Sequence, residues 1–341
     1  MIAKLLPNRV RRTYLGGGRI DAFCGTAGRA RSPSAPNGGR GATALPEMPM
    51  PEDWMASTVT AFNGTFEIEG EGLGRLEDGR LVKDVIGALP ILVKLLDSDE
   101  RLVIQAHPTV PCAKRLFNSP VGKTECWYFL PGTAPDACVY LGFKPGVTHE
   151  KWKSAFEAQD GLLEMLHRIP VAAGDFVFVD GGMPHAIGGG CFMIELQEPS
   201  DLMVVAERYT PSGRRIPDAK MHGGVGWEAM FDVYEYGGRT FEETCARYVR
   251  RAAETAALHA DAQGCIPHVT KILGSELTDK FEMWRVAGGG RVTFPRDRSV
   301  AVVTDGKGVV NDHAVAKGDR LLIAEESQIA VTGSTTLVVC V

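Results

Sequence analysis

The sequence predicts a mainly β protein built as two barrel-like modules, with a small helical insertion in the first. Three observations lead there. Turn formers are plentiful, with 40 Gly and 20 Pro in 341 residues, and they punctuate many short runs of β-branched and aromatic residues. Helical periodicity is confined to a few short stretches. The turn Ala173-Gly174-Asp175, ahead of Phe176-Val177-Phe178-Val179, is echoed by Lys317-Gly318-Asp319 ahead of Leu321-Leu322-Ile323-Ala324, as though one half had been repeated. A chain of this length can bury one large core or two smaller ones.

Taken in order, Arg11 to Phe23 carries an aromatic, Tyr14, followed closely by Gly16-Gly17-Gly18. From Gly25 to Pro51 large apolar residues almost vanish in favour of Gly, Ala, Arg, Ser and Pro, which predicts a long mobile loop. Ordered structure resumes at Glu52-Asp53-Trp54-Met55, and Leu89 to Asp97 is an apolar run interrupted by Lys94. Arg101 to His107 and Glu125 to Leu130 read as strands. Thr148 is a candidate N-cap for a helix through Trp152, and Asp160-Gly161 interrupts the pattern, so two short helices are expected at about 148–168. Strands follow at Val171 to Asp180, Cys191 to Glu198 and Leu202 to Tyr209, and the polar stretch Pro211 to Gly226 is a connector. Short helices are expected at Trp227 to Phe231 and Thr240 to Tyr248. Strands return from Pro267 to Val341.

A formal charge of −5 offers no general attraction to nucleic acid or an anionic membrane, so neither is an expected partner. A phosphate-bearing ligand must meet a local basic cluster. The cysteines Cys24, Cys112, Cys126, Cys138, Cys191, Cys245, Cys265 and Cys340 include no C-x-x-C pair and read as reduced thiols of a cytoplasmic protein. No stretch approaches the length of a membrane span, and the first residues lack a sustained apolar segment.

Candidate metal ligands lie on three strand-bounded segments. Gln105 and His107 sit two apart at the end of one strand, where side chains at i and i+2 share a face. Glu125 opens another strand, and His185 follows the glycine turn after Val171 to Asp180. Either histidine alone reads as a structural one. Together, two imidazoles, a carboxylate and an amide oxygen form a mixed N/O set suited to Zn2+, with Fe2+, Mn2+ and Co2+ as rivals.

Gly174 to His185 is similar to the second conserved motif of cupin barrels, with Asp180 where that motif usually has Pro. The wider set resembles the type I mannose-6-phosphate isomerases. It comprises Gln105-Ala106-His107-Pro108, Gly122 to Tyr128, Pro184-His185-Ala186-Ile187-Gly188, Glu195-Leu196-Gln197 and Ser200-Asp201. The resemblance implies cupin-like jelly-roll (double-stranded β-helix) barrels and one Zn2+ per chain at Gln105, His107, Glu125 and His185. It implies interconversion of mannose 6-phosphate and fructose 6-phosphate through an enediol or enediolate. Lys123 and Asp201 match catalytic positions, and Ser57 and Lys94 match the substrate pocket; Glu195, on the strand that follows the His185 turn, is a second acid–base candidate. The family usually has an arginine four residues after that aspartate, and here the position is Val205, which leaves Arg208 as the nearest candidate. The expected division is 1–51 as an N-terminal segment and flexible loop, 52–226 as the metal-binding cupin module, and 227–341 as a second cupin-like half without metal. A sugar phosphate is the expected partner of a monomer or homodimer. An Fe-dependent cupin oxygenase and a non-catalytic metal-containing sugar-binding protein are the competing readings.

Overall fold

A computed structural model describes residues 1–25, 49–63, 68–257, 268–325 and 328–341. The loop expected at 25–51 falls almost entirely outside the described residues. In the N-terminal two-thirds the strands are β1 (Ile2–Lys4), β2 (Arg9–Val10), β3 (Glu52–Met55), β4 (Leu92–Ser98), β5 (Gln105–Ala106) and β6 (Glu125–Phe129). They continue with β7 (Cys138–Phe143), β8 (Leu166–Pro170), β9 (Phe176–Val179), β10 (His185–Ile187), β11 (Cys191–Gln197), β12 (Val204–Val205) and β13 (Val249–Arg250). Two antiparallel sheets form the first barrel, in the orders β12-β5-β10-β7-β8 and β13-β9-β6-β11-β4-β3-β2. The fold is the mainly β, cupin-like arrangement that the sequence predicts.

Strands β4 and β11 are buried along their whole length because both faces of the larger sheet are covered. One face, with Lys94, Leu96, Glu195 and Gln197, lies on the side of Glu125 and Trp127 according to the strand register. Residues on the other face, among them Val93, Leu95, Ile194 and Leu196, share a core with Phe281, Met283, Val300 and Val338 of the C-terminal half. This is why Leu92 to Ser98 reads as a continuous apolar run, and why its one lysine stands out.

The C-terminal half has its own six- and four-stranded sheets, and its interior cluster, with Val292, Val310, Ile329 and Val331, is apolar. The two halves share a turn that is repeated at the atomic level. Gly174 and Gly318 adopt φ of +89° and +90°, a conformation that favours glycine. The carboxylates of Asp175 and Asp319 each accept the backbone N–H three residues earlier, from Ala172 at 3.1 Å and Ala316 at 3.0 Å.

Two strand pairings cross the expected boundaries. Strand β1 pairs with Arg320–Ala324, so the first residues complete a sheet of the C-terminal half. Strand β13, beyond the expected boundary at 226, pairs with β9 of the first barrel. The helical insertion is a helix at His149–Ala158, capped by Thr148, followed by a 3-10 turn at Leu163–Met165. A second helix, Phe241–Tyr248, opens with a capping box between Thr240 and Glu243. The strand expected at 202–209 shrinks to Val204–Val205; beyond it the Glu207 carboxylate, paired with Arg101, takes the Ile104 N–H at 2.6 Å.

Candidate metal centre

The four predicted ligands converge where the two sheets of the first barrel face each other. Gln105 and His185 are direct cross-strand partners on β5 and β10, and His107 follows β5 by one residue. Glu125 reaches across from β6 in the opposite sheet. Its Oε2 lies 3.1 Å from His107 Nε2 and its Oε1 lies 3.3 Å from His185 Nε2. The ligand atoms of His107, Glu125 and His185 all lie within 4.8 Å of one another, and the three side chains are buried. The Gln105 amide is 3.2 Å from His185 Nε2, and a half-turn of the amide would exchange its nitrogen for its oxygen there.

Each imidazole is oriented through its other nitrogen. His107 Nδ1 is 2.9 Å from the Leu202 carbonyl and His185 Nδ1 is 2.9 Å from the Met183 carbonyl, so Nδ1 is the donor and Nε2 presents a lone pair. The turn before His185 is tied to its partner, since Gly182, at φ +87°, donates its N–H to the His107 carbonyl at 2.6 Å.

Burial, and then the nearby Lys123 charge, hold His107 down at about 3. Burial likewise lowers His185. Burial alone would raise Glu125, but Lys123 and the two histidines outweigh it and keep the carboxyl well below its ordinary range. Two neutral imidazoles thus aim lone pairs at an ionised carboxylate, a repulsive arrangement unless a cation joins it. Lys123 Nζ supplies one positive charge, 2.7 Å from His107 Nε2 and 2.9 Å from Glu125 Oε2. The donor set fits a zinc-like divalent ion.

Beside the ligands is a cavity lined by Arg12, Tyr14, Glu52, Lys94, Glu195 and Lys220, together with Gln105 and Lys123. Its free volume is about 30 Å³, because long side chains fill it. Lys94 Nζ bonds Glu195 Oε1 at 2.9 Å and lies 3.9 Å from Glu52 Oε2 and 5.0 Å above the Trp54 ring. Burial works against the Lys94 charge, but Glu195 and Glu52 more than offset it, and its pKa rises. Glu195 is raised by burial, with Lys94 opposing, so its carboxyl is more readily protonated than an ordinary one.

Arg12 was not anticipated. Its buried guanidinium grips Asp201 through two bonds of 2.8 and 2.9 Å and sits 3.3 Å from Glu52 Oε1. Glu52 also accepts Tyr14 Oη at 2.5 Å and Trp54 Nε1 at 2.6 Å. For Glu52 the sequence held a signal, because Glu52 and Trp54, two apart on β3, share a face.

Three predicted residues stand elsewhere. Beyond β3 the chain turns through Ala56, at φ 52°, and Ser57 bonds the Val59 backbone in a local turn outside the cavity lining. Arg208 stacks its guanidinium over the Phe156 and Trp227 rings, at 5.0 and 5.7 Å, away from the cavity. Asp201 is not among the lining residues of this cavity but is bonded to Arg12, which lines it, and accepts the Phe62 N–H at 2.9 Å. Val205 does line the cavity, as an apolar wall.

No family model matches the chain. A curated relative, the probable mannose-6-phosphate isomerase GmuF of Bacillus subtilis, is 41% identical over 114 residues, 33% of this chain and 35% of that protein. The chain thus matches about a third of that relative's length. A crystal structure of the mannose 6-phosphate isomerase from Bacillus subtilis superposes with a TM-score of 0.70 at 18% identity, covering 100% of this chain and 99% of that one. A mannose 6-phosphate isomerase bound with zinc and yttrium superposes with a TM-score of 0.63 at 14% identity, covering 99% and 98%. In fold along its whole length, and in sequence over a third of it, the chain is similar to mannose-6-phosphate isomerases.

Proposed function

We propose that the chain is an aldose–ketose isomerase that interconverts mannose 6-phosphate and fructose 6-phosphate, with one zinc ion held by Gln105, His107, Glu125 and His185. The observation that carries this reading is the ionised Glu125 set between two imidazole lone pairs, beside a cavity walled by buried cations. The similarity to mannose-6-phosphate isomerases supports it.

Among the described residues around the site, Arg12, Lys94, Lys123 and Lys220 balance Glu52, Glu125, Glu195 and Asp201. A divalent ion leaves two positive charges in excess. A phosphomonoester dianion restores the balance, which favours a phosphorylated sugar over a free one.

When bound, the metal supplies Lewis-acid charge to sugar oxygens. The chain supplies the proton handling. Isomerisation takes a proton from one sugar carbon and returns it to its neighbour, which needs a group beside the C1–C2 bond that can both accept and donate. Lys123 Nζ and Glu195 Oε1 are the candidates. Lys123 stands at the ligands, while Glu195 has a raised pKa and is held by Lys94. Arg12 and Lys220 serve the anionic end of the sugar, with Asp201 and Glu52 fixing the Arg12 guanidinium.

A coupled assay for fructose 6-phosphate formed from mannose 6-phosphate tests the activity; absence of product from zinc-loaded protein refutes it. Two histidines and one carboxylate also suit a non-haem iron oxygenase. Iron in the purified protein, with oxygen consumption, would favour that alternative.

Lys123→Ala is expected to lower kcat by about 10²–10⁴-fold, the usual contribution of a positioned acid–base group. The same variant should bind metal at least as tightly as wild type, because the ammonium that competes for the ligands is gone. Full activity in Lys123→Ala would remove the lysine from the reaction.

A further inference from the structure

The apolar C-terminal half reaches the segment that carries Lys123. Lys280 donates from Nζ to Thr124 Oγ1 and to Glu198 Oε2, both at 2.6 Å. Glu198 is buried just past the end of β11, and its two oxygens accept the backbone N–H groups of Gly122 at 3.3 Å and Thr124 at 2.8 Å. These are the amides on either side of Lys123 in sequence. Ser200 adds a bond from Oγ to the Gly122 carbonyl at 2.6 Å, and the Glu198 N–H reaches the Thr124 carbonyl at 3.0 Å. A single carboxylate therefore clamps the backbone around Lys123, and its charge is neutralised from the other half of the molecule. Arg320 of that half makes a comparable contact, pairing with Asp53 beside Glu52.

We propose that Lys280 is a positioning residue. By neutralising Glu198 it locks the Gly122–Thr124 backbone and so fixes where the Lys123 ammonium stands relative to Glu125 and His107. The C-terminal half is then part of the active-site scaffold. Without Lys280, the buried carboxylate loses its counter-charge, draws in water and loosens its hold on the two amides. The inference rests on the role proposed above for Lys123, but its structural arm can be read without turnover.

The test uses the full-length, zinc-loaded protein with Lys280→Met, which keeps an unbranched apolar stem. The kcat is expected to fall about tenfold, within the roughly hundredfold that a misplacement of 1 Å can cause. KM and zinc content should stay at wild-type values, and Lys280→Arg should restore most of the rate. Amide hydrogen exchange at Gly122 and Thr124 should accelerate in the methionine variant. Wild-type kcat in Lys280→Met overturns the proposal. Should wild-type protein show no isomerase turnover, the functional reading fails separately, and unchanged protection of the Gly122 and Thr124 amides then overturns this one. If Lys280→Met does not fold, Thr124→Val, which removes one of the two acceptors, should show a smaller loss confined to kcat, and its absence counts against the proposal.

Discussion

His107→Ala or His185→Ala is expected to abolish metal binding and turnover together. Each histidine contributes one Nε2 lone pair to the site, and each is aimed by a backbone carbonyl at 2.9 Å, so neither neighbour can rotate in as a substitute. Losing an outer hydrogen-bond partner of a metal ligand already costs roughly 10–100-fold in affinity. Losing a ligand itself should exceed that. The fold should survive, because Lys123 still neutralises Glu125 at 2.9 Å and the freed carbonyl costs about 1–3 kcal/mol at most. Zinc content after dialysis and the coupled isomerase assay would read the two losses. A variant that keeps turnover after losing its metal would separate the ion from the reaction.

Arg12→Met should be the most destabilising change at the site. It takes from Asp201 its two-bond partner and from Glu52 one of its cations, leaving Tyr14, Trp54 and Lys94 on Glu52 and the Phe62 N–H on Asp201, and breaking a buried ion pair from one side costs about 3–5 kcal/mol. Burial pushes Asp201 upward, but the charge and hydrogen bonds of Arg12 outweigh it and hold the carboxyl well below its ordinary value of 3.8. A carboxyl whose folded pKa is depressed contributes stability that is present above the unfolded value and lost as pH falls through the folded one. The gap between wild type and Arg12→Met in urea unfolding should therefore be full near neutral pH and narrow only as pH falls below 3.8 toward the depressed folded value. Adding Asp201→Asn should recover part of the loss. An Arg12→Met protein as stable as wild type at pH 7 would show that this network carries little.

The convergence of the candidate ligands was legible in the sequence, in part because a strand presents side chains at fixed alternation, which puts Gln105 and His107 on one face. The repeat of Gly-Asp turns was legible for a similar reason, since both glycines occupy a backbone region that other residues avoid. What escaped was contact at long range. Arg12 reaches Asp201 across 189 positions, and nothing local in Arg11-Arg12-Thr13 distinguishes a buried guanidinium from a solvated one. Ser57 was misplaced because a left-handed residue at Ala56 ends the alternation that put Glu52 and Trp54 inward. Arg208 was misplaced because strand geometry stops at Val205, after which the aromatic pair Phe156 and Trp227 captures the guanidinium. The pairing of β13 with β9, which crosses the expected boundary at 226, joins segments far apart in the chain, and composition does not reveal it.

The most direct test of the metal centre is a cobalt(II) titration of metal-free protein, followed by visible absorption. Saturation at one equivalent per chain is expected, with the d–d bands of a nitrogen–oxygen site and no thiolate charge-transfer band, because Cys126 lies on the opposite face of β6 from Glu125. The bands should vanish in His107→Ala and His185→Ala. Failure to take up cobalt, or a thiolate band that persists in both histidine variants, would contradict a centre built from Gln105, His107, Glu125 and His185.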